Sequence, residues 1–216
     1  DHVRLRNLVS QAFTPKRIAA LRPRIEAIAN MLLQQVQAKG EMDLIADFSF
    51  PLPTIVILEM LGVPAEDRDK FKVWSNALLE PQMDAAGFEQ AVQHLTDFTN
   101  YLRDLFAKRR AQPRDDLITG LLQAEEAGDK LSESELFSTM VLLIVAGHET
   151  TVNLIANAVL ALSRNPEQYA KLKADPSLMP KAVEEFLRYG GSVGRALSRW
   201  AAEDVDWLGH HIKRGD

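Results

Sequence analysis

Residues 132–164 constrain the fold more than any other stretch, because they read as one long helix whose best-buried turn is interrupted by polar chemistry. Ser132-Glu133-Ser134-Glu135 is a capping box, in which the Ser132 side chain caps the helix start and Glu135 reaches back. Asn165-Pro166 ends the helix. Residues 140–146 are apolar on every side and 154–162 are again rich in apolar residues, so this helix belongs inside a core. Its centre nevertheless reads Gly147-His148-Glu149-Thr150-Thr151. A glycine inside a helix costs about 1 kcal/mol relative to alanine. A buried, unpaired carboxylate costs several times that. A sequence that places both at the midpoint of its longest helix accommodates a function there.

The spacing gives those residues roles. Thr150 can bond back to the carbonyl of Ala146, which bends a helix and opens a groove. Gly147 lacks a side chain, so a flat group can approach the backbone. Glu149 beside Thr150 sets an acid next to an alcohol, a pair able to pass protons from solvent to a buried reacting atom. Leu142, Val145 and Ala146 fall on the Thr150 side and predict an apolar pocket wall. A buried polar contact between helices accounts for the same residues without any chemistry. A zinc-protease reading of His148-Glu149 fails, since the second histidine it needs is Val152. His210-His211 are neighbours that point to opposite faces of a strand, which makes them poor joint ligands.

Elsewhere the helical period recurs. Residues 16–38 carry Ile18, Leu21, Ile25, Ile28, Ala29, Leu32 and Val36 on one stripe, stopped by Gly40. Pro51-Leu52-Pro53 is a helix entry, and Gly62-Val63-Pro64 an exit. Further helices are expected over 66–79, 87–112, 115–127, 166–174 and 177–189, the second burying Phe88, Val92, Leu95, Phe98, Leu102, Leu105 and Phe106. After Gly190-Gly191, short strands are expected at 195–201, 205–207 and from 210. The pattern predicts a mainly α unit: a long central helix, surrounding helices and a small β portion at the C-terminal end.

Composition closes off several function classes. With no cysteine, the 216 residues form no disulfide, zinc-thiolate site or cysteine nucleophile. A net charge of −5 lacks the basic footprint of a nucleic-acid binder. The longest unbroken apolar run, 140–146, is far shorter than a membrane span, and residues 1–4 are no signal peptide. A reducing cytoplasm is the expected location. Both chain ends read as cuts through a larger fold.

Ala146-Gly147-His148-Glu149-Thr150-Thr151 resembles the central-helix signature of the cytochrome P450 superfamily, [AG]-G-x-[DE]-T-[TS]. Three further segments resemble the soluble bacterial members in the family's order. Glu185-Phe186-Leu187-Arg188 is similar to the E-x-x-R motif of the K helix. His2-Val3-Arg4-Leu5-Arg6, running into Phe13-Thr14-Pro15, is similar to the C-helix segment. Arg195-Ala196-Leu197-Ser198-Arg199, with Glu203-Asp204-Val205 and Gly209 behind it, is similar to the strand segment after the K helix. The resemblance implies an incomplete P450 fold in one partial domain, running from the C helix to just past the K helix. It also implies a haem cofactor, with His2, Arg6 and Arg199 bonding its propionates and Ala146 and Gly147 lying against the ring. Glu149 and Thr150 would deliver protons to bound oxygen, while Glu185 and Arg188 would form a buried structural network. The implied partners are a small hydrophobic substrate over Leu142, Val145 and Ala146, and a ferredoxin or flavoprotein electron donor near Arg4, Lys16 and Arg17. The implied protein is a monomeric monooxygenase. The axial cysteine of the family is not in this chain, so haem binding by these residues alone is expected to be weak or absent. A helical ligand-binding module and an inactive remnant are the competing readings.

Overall fold

A computed structural model of the chain describes residues 2–79, 85–126, 128–194 and 198–216. Helices dominate: α1 (His2–Ala12), α2 (Pro15–Gln37), α3 (Pro51–Leu61), α4 (Arg68–Leu79), α5 (Ala85–Ala111), α6 (Leu117–Gln123), α7 (Glu133–Arg164), α8 (Pro166–Ala174) and α9 (Met179–Gly190). Two antiparallel hairpins complete the described residues: β1 (Glu125–Glu126) with β2 (Asp129–Lys130), and β3 (Val205–Trp207) with β4 (His210–Ile212). This is the mainly α architecture the sequence predicts.

The helix ends follow their local chemistry. Thr14 caps α2, with its hydroxyl accepting from the Arg17 N–H. Pro51 opens α3, and Gly62 closes it in the left-handed region at φ +82°, where a side chain would be strained. The Ser132 capping box of α7 forms with both of its bonds. An element not expected from periodicity is a π-helical segment over Leu44–Ser49, capped by the Asp43 carboxylate and leading into Phe50 and α3. Another departure follows α6: Ala124 turns extended and Gly128 takes φ +83°, so a tight hairpin replaces the helix end expected to reach 127. Residues 198–201 are irregular rather than a strand; Arg195, Ala196 and Leu197 lie outside the described residues, as does Met83, which the sequence reads as a core residue.

α7 organises the core. Leu136, Met140, Ile144, His148 and Val152, each four residues apart, are all buried. The first three join one cluster with Ile57, Leu58 and Leu61 of α3, Phe71 and Trp74 of α4, and Phe98, Leu102, Leu105 and Phe106 of α5. Each large side chain buried there contributes roughly 1.5–3 kcal/mol. The expectation that α7 is buried on every side does not hold: Leu142 is 64 % exposed, and Val159 and Leu160 are also exposed. The buried face of α5 is likewise shorter than expected. Phe88, Val92 and Leu95 are exposed, and the large buried side chains of α5 begin at Phe98. In α2, Ile18 is exposed and burial begins in earnest at Ile28.

By length and composition, Leu44–Leu61 and Glu133–Arg164 would each pass as a membrane-crossing stretch, a wider window than the unbroken run at 140–146. The first is two helices joined at Phe50, and the second carries His148 and Glu149 at its centre.

A buried ion pair joins three helices. Arg109, in the last turn of α5, bonds Asp116 through Nε and donates to the Gly62 carbonyl at 2.6 Å. Both side chains are nearly fully buried, and Asp116 Oδ1 also caps α6 by accepting from the Thr119 N–H at 2.8 Å. A Cβ at position 62 would run into the Asp116 carboxylate, so glycine is required by space as well as by φ. A second cluster is more open: Glu59 on α3 receives two bonds from Arg24 at 2.7 Å and one from Arg68 at 2.6 Å.

Two predictions follow from these pairs. Asp116→Ala strands the Arg109 charge and removes a helix cap, so it lowers unfolding free energy by about 3–5 kcal/mol, read from the urea midpoint. For Glu59, the bonds from Arg24 hold the carboxyl below its ordinary value, against a smaller opposing push from burial. The folded chain therefore binds fewer protons than the unfolded chain at this residue. Its contribution is complete above the ordinary glutamate value of 4.5 and declines as pH falls through the lower folded value. Glu59→Gln should flatten that acid limb in a stability-versus-pH series, while Arg22→Gln, on an exposed α2 pair, should not.

Candidate active site

Two elements build the site, α1 and the first half of α7. They are clamped at one end by Arg4, which pairs with Glu135. Glu135 is also the capping-box acid, accepting from the Ser132 N–H at 2.9 Å. The Ser132 backbone, its hydroxyl and Arg4 together hold the Glu135 carboxyl below its ordinary value. One carboxylate thus starts α7 and docks α1 against it.

A cavity of about 520 Å³ lies between the two helices. His2, Leu5, Arg6 and Val9 line it from α1, and Thr139, Leu142 and Leu143 are among its α7 lining. A histidine, an arginine and an apolar wall therefore share one opening, with the exposed Leu142 side chain at its border. Leu5, Val9 and Thr139 were not singled out from the sequence. Their signal was the 2, 5, 6, 9 spacing, which places all four α1 residues on one face.

The central turn of α7 behaves only partly as its sequence predicts. Thr150 Oγ1 donates to the Ala146 carbonyl at 2.9 Å, the expected back-bond. Ala146 is exposed and Thr150 half-buried, on the helix side away from the packed stripe. The side chain of Val145 lies outside the described residues. Glu149 is exposed, not buried, so the desolvation penalty argued for it does not arise. Gly147 answers to a neighbour within the fold: a Cβ there would stand 3.2 Å from Ile57 Cδ1. The missing side chain thus lets α3 approach α7, where the sequence pointed to a flat ligand.

Other expected residues lie apart from the cavity. Arg199 is exposed, in the irregular stretch after α9, and does not line it. Glu185 and Arg188 form a two-pronged pair at 2.7 Å, but on the exposed face of α9, with the arginine side chain 69 % accessible. They make no buried network among the described residues. Of the basic residues near α1, Arg4 is taken by Glu135, and Arg17 reaches Asp115 at 3.2 Å. Lys16 stays exposed. His210 and His211 are exposed, and His211 Nδ1 lies 2.8 Å from Asp206 Oδ1. Among the described residues no three of His, Cys, Asp or Glu gather as a metal site.

Comparison with known proteins accounts for this arrangement. The family model for cytochrome P450 matches residues 1–216. Cytochrome P450 CYP107DY1 of Priestia megaterium is 50% identical over 216 residues, which is 100% of this chain and 52% of that protein. The polyketide biosynthesis cytochrome P450 PksS of Bacillus subtilis is 47% identical over 216 residues, with 53% of its length covered. The PksS structure superposes with a TM-score of 0.91, covering 100% of this chain and 55% of that one. CYP109E1 of Bacillus megaterium, solved in complex with testosterone, gives a TM-score of 0.91 at 38% identity, covering 100% of this chain and 58% of the other. The chain spans about half the length of the curated relatives it matches. With that match running through every residue, and with a 0.91 superposition on a relative of nearly half-identical sequence, the chain belongs to the cytochrome P450 family.

Proposed function

We propose that these residues form the oxygen-side wall and proton-handling turn of a haem monooxygenase that oxidises a small apolar molecule. The observation that supports this most is the Thr150 back-bond on the open side of α7, beside an exposed Glu149. When bound through a cysteine thiolate, haem iron activates dioxygen and inserts one oxygen atom into an unreactive C–H bond. The residues present fit part of such a site: an apolar helix face with His2 and Arg6 along the same cavity. Those two side chains would bond the propionates, Arg6 through charge-assisted bonds, with Arg199 as a further partner. Ala146, exposed on the open side, would offer backbone to the ring, whereas the side of Gly147 is taken by Ile57. The thiolate ligand is not supplied by these residues, which include no cysteine.

Thr150 spends its hydroxyl proton on the Ala146 carbonyl, which leaves the oxygen lone pairs free to accept a hydrogen bond from the open side. Glu149, being exposed, exchanges protons with solvent and stands one residue away. Acid, alcohol and open face together make a short proton path that the packed side of α7 does not share. Leu142, Val145 and Ala146 would form the apolar wall over the substrate. The testosterone complex of CYP109E1 supports a compact apolar substrate class. A ferredoxin or flavoprotein would supply electrons near α1. Lys16 is exposed there, whereas Arg4 and Arg17 are engaged within the fold. A monomer in the cytoplasm, without nucleic acid or membrane, completes the reading.

Two experiments test this. In the first, the 216-residue chain is reduced and treated with carbon monoxide; a thiolate-type Soret band from it alone would contradict the assignment of the iron ligand elsewhere. In the second, the chain replaces the matching half of PksS, and product and peroxide are measured per NADPH consumed. Thr150→Ala in that chimera should lower product per NADPH by about tenfold or more, with peroxide rising to match. Unchanged coupling removes the proton-path reading.

A further inference from the structure

His148 is 3 % exposed and sits in the packed stripe of α7 between Ile144 and Val152. Its Nδ1 lies 3.2 Å from the Ile144 carbonyl, which can only accept, so Nδ1 carries the hydrogen. In a helix the His148 backbone N–H aims at the same carbonyl, so Ile144 faces two donors. The imidazole also meets Phe50 edge-to-face, with centroids 5.6 Å apart and planes at 89°. Phe50 joins the π-helical segment to α3.

Two residues further on, Thr150 adds its own second donor to Ala146. The Ala146 carbonyl is therefore pulled toward a side chain, and Gly147 directly follows it. A threonine back-bond of this kind bends a helix, and an interior glycine weakens it. The turn from 144 to 150 thus combines an interior glycine with a helix-bending bond, and it is the one that carries Glu149 and Thr150. It is held from the packed side, where the imidazole is wedged between the Ile144 carbonyl and Phe50.

We propose that His148 is a positioning residue: through its Nδ1–H bond to Ile144 and its contact with Phe50, it fixes the turn that aims Glu149 and Thr150 at the open face. The inference rests on the proton-path reading for its purpose, while its geometry stands independently. A residue that merely fills volume would be replaceable by any ring of similar size. His148→Phe keeps the aromatic contact and removes the donor. His148→Asn puts an amide N–H where Nδ1–H stood and removes the ring.

The test is hydrogen–deuterium exchange on the full 216-residue chain, comparing amides 147–151 with the buried part of α5 around Phe98 to Phe106. His148→Phe should accelerate exchange at 147–151 by about tenfold and leave α5 unchanged. His148→Asn should return the turn to within about threefold of the parent chain. In the PksS chimera, His148→Phe should raise peroxide per NADPH without changing substrate KM, and His148→Asn should reverse it. The proposal is overturned if the Phe variant exchanges like the parent, if α5 accelerates equally, or if Asn gives no rescue. Should Thr150→Ala leave coupling intact, the proton path fails, yet the haem-free exchange data still decide the role of His148.

Discussion

The approach of α7 to α3 is the constraint on which the remaining geometry depends. Gly147 leaves Ile57 Cδ1 only 3.2 Å from where a Cβ would stand, and the buried stripe from Leu136 to Val152 seals the seam. Once that side is committed to packing, helical geometry turns Leu142 and Ala146 to the opposite side. An open apolar face is therefore a consequence of a closed one. The rotation of α7 that packs Ile57 also presents Thr150 and Glu149 outward, so core packing and site orientation are a single decision. A larger side chain at 147 would disturb both together.

Two of the charge pairs double as helix caps. Asp116 caps α6 while neutralising Arg109, and Arg109 in turn satisfies the carbonyl of Gly62 at the end of α3. Glu135 caps α7 while docking Arg4 of α1. In each case one carboxylate resolves the unpaired N–H groups of a helix start and fixes how a second helix lies against it. The second pair bears on function, because α1 carries His2 and Arg6 and its seat on α7 sets where they stand relative to Leu142. The cost of burying Asp116 and Arg109 is offset only because every bond is made at once, which is why breaking one partner is severe.

Much of this was legible in the residues, for identifiable reasons. Ser132-Glu133-Ser134-Glu135, Pro51 and Gly62 declare helix ends through local bonds, and local bonds need no knowledge of the fold. The Thr150 bond to Ala146 is equally local, and it forms. What periodicity could not supply was the partner of each face. It marked α7 as apolar all round without saying that only one stripe is covered, and it counted Phe88, Val92 and Leu95 with the buried part of α5. A sequence pattern reports which side chains need covering, not whether the cover lies within the same residues. The clearest case is α9, strongly two-faced in sequence yet with no buried residue. Glu149 was misjudged on the same ground, since a carboxylate in an apolar stretch reads as buried until the open side is known.

His148 shows where a pattern and a chemistry diverge. A histidine at an every-fourth position among Leu136, Met140, Ile144 and Val152 would have been read as core from its spacing alone, and it is core. Its neighbours Glu149 and Thr150 drew the chemical reading instead, though they lie off the buried stripe. The structure divides the motif between two faces. His148 supplies a polar tether on the packed face, Gly147 supplies clearance for α3, and Glu149 and Thr150 supply proton-bearing groups on the open face. A proton path needs its donors held still while remaining accessible, and those demands conflict within one exposed turn. Placing the tether on the buried side of that turn satisfies both, because the ring that restrains the backbone never competes for the space in front of Thr150.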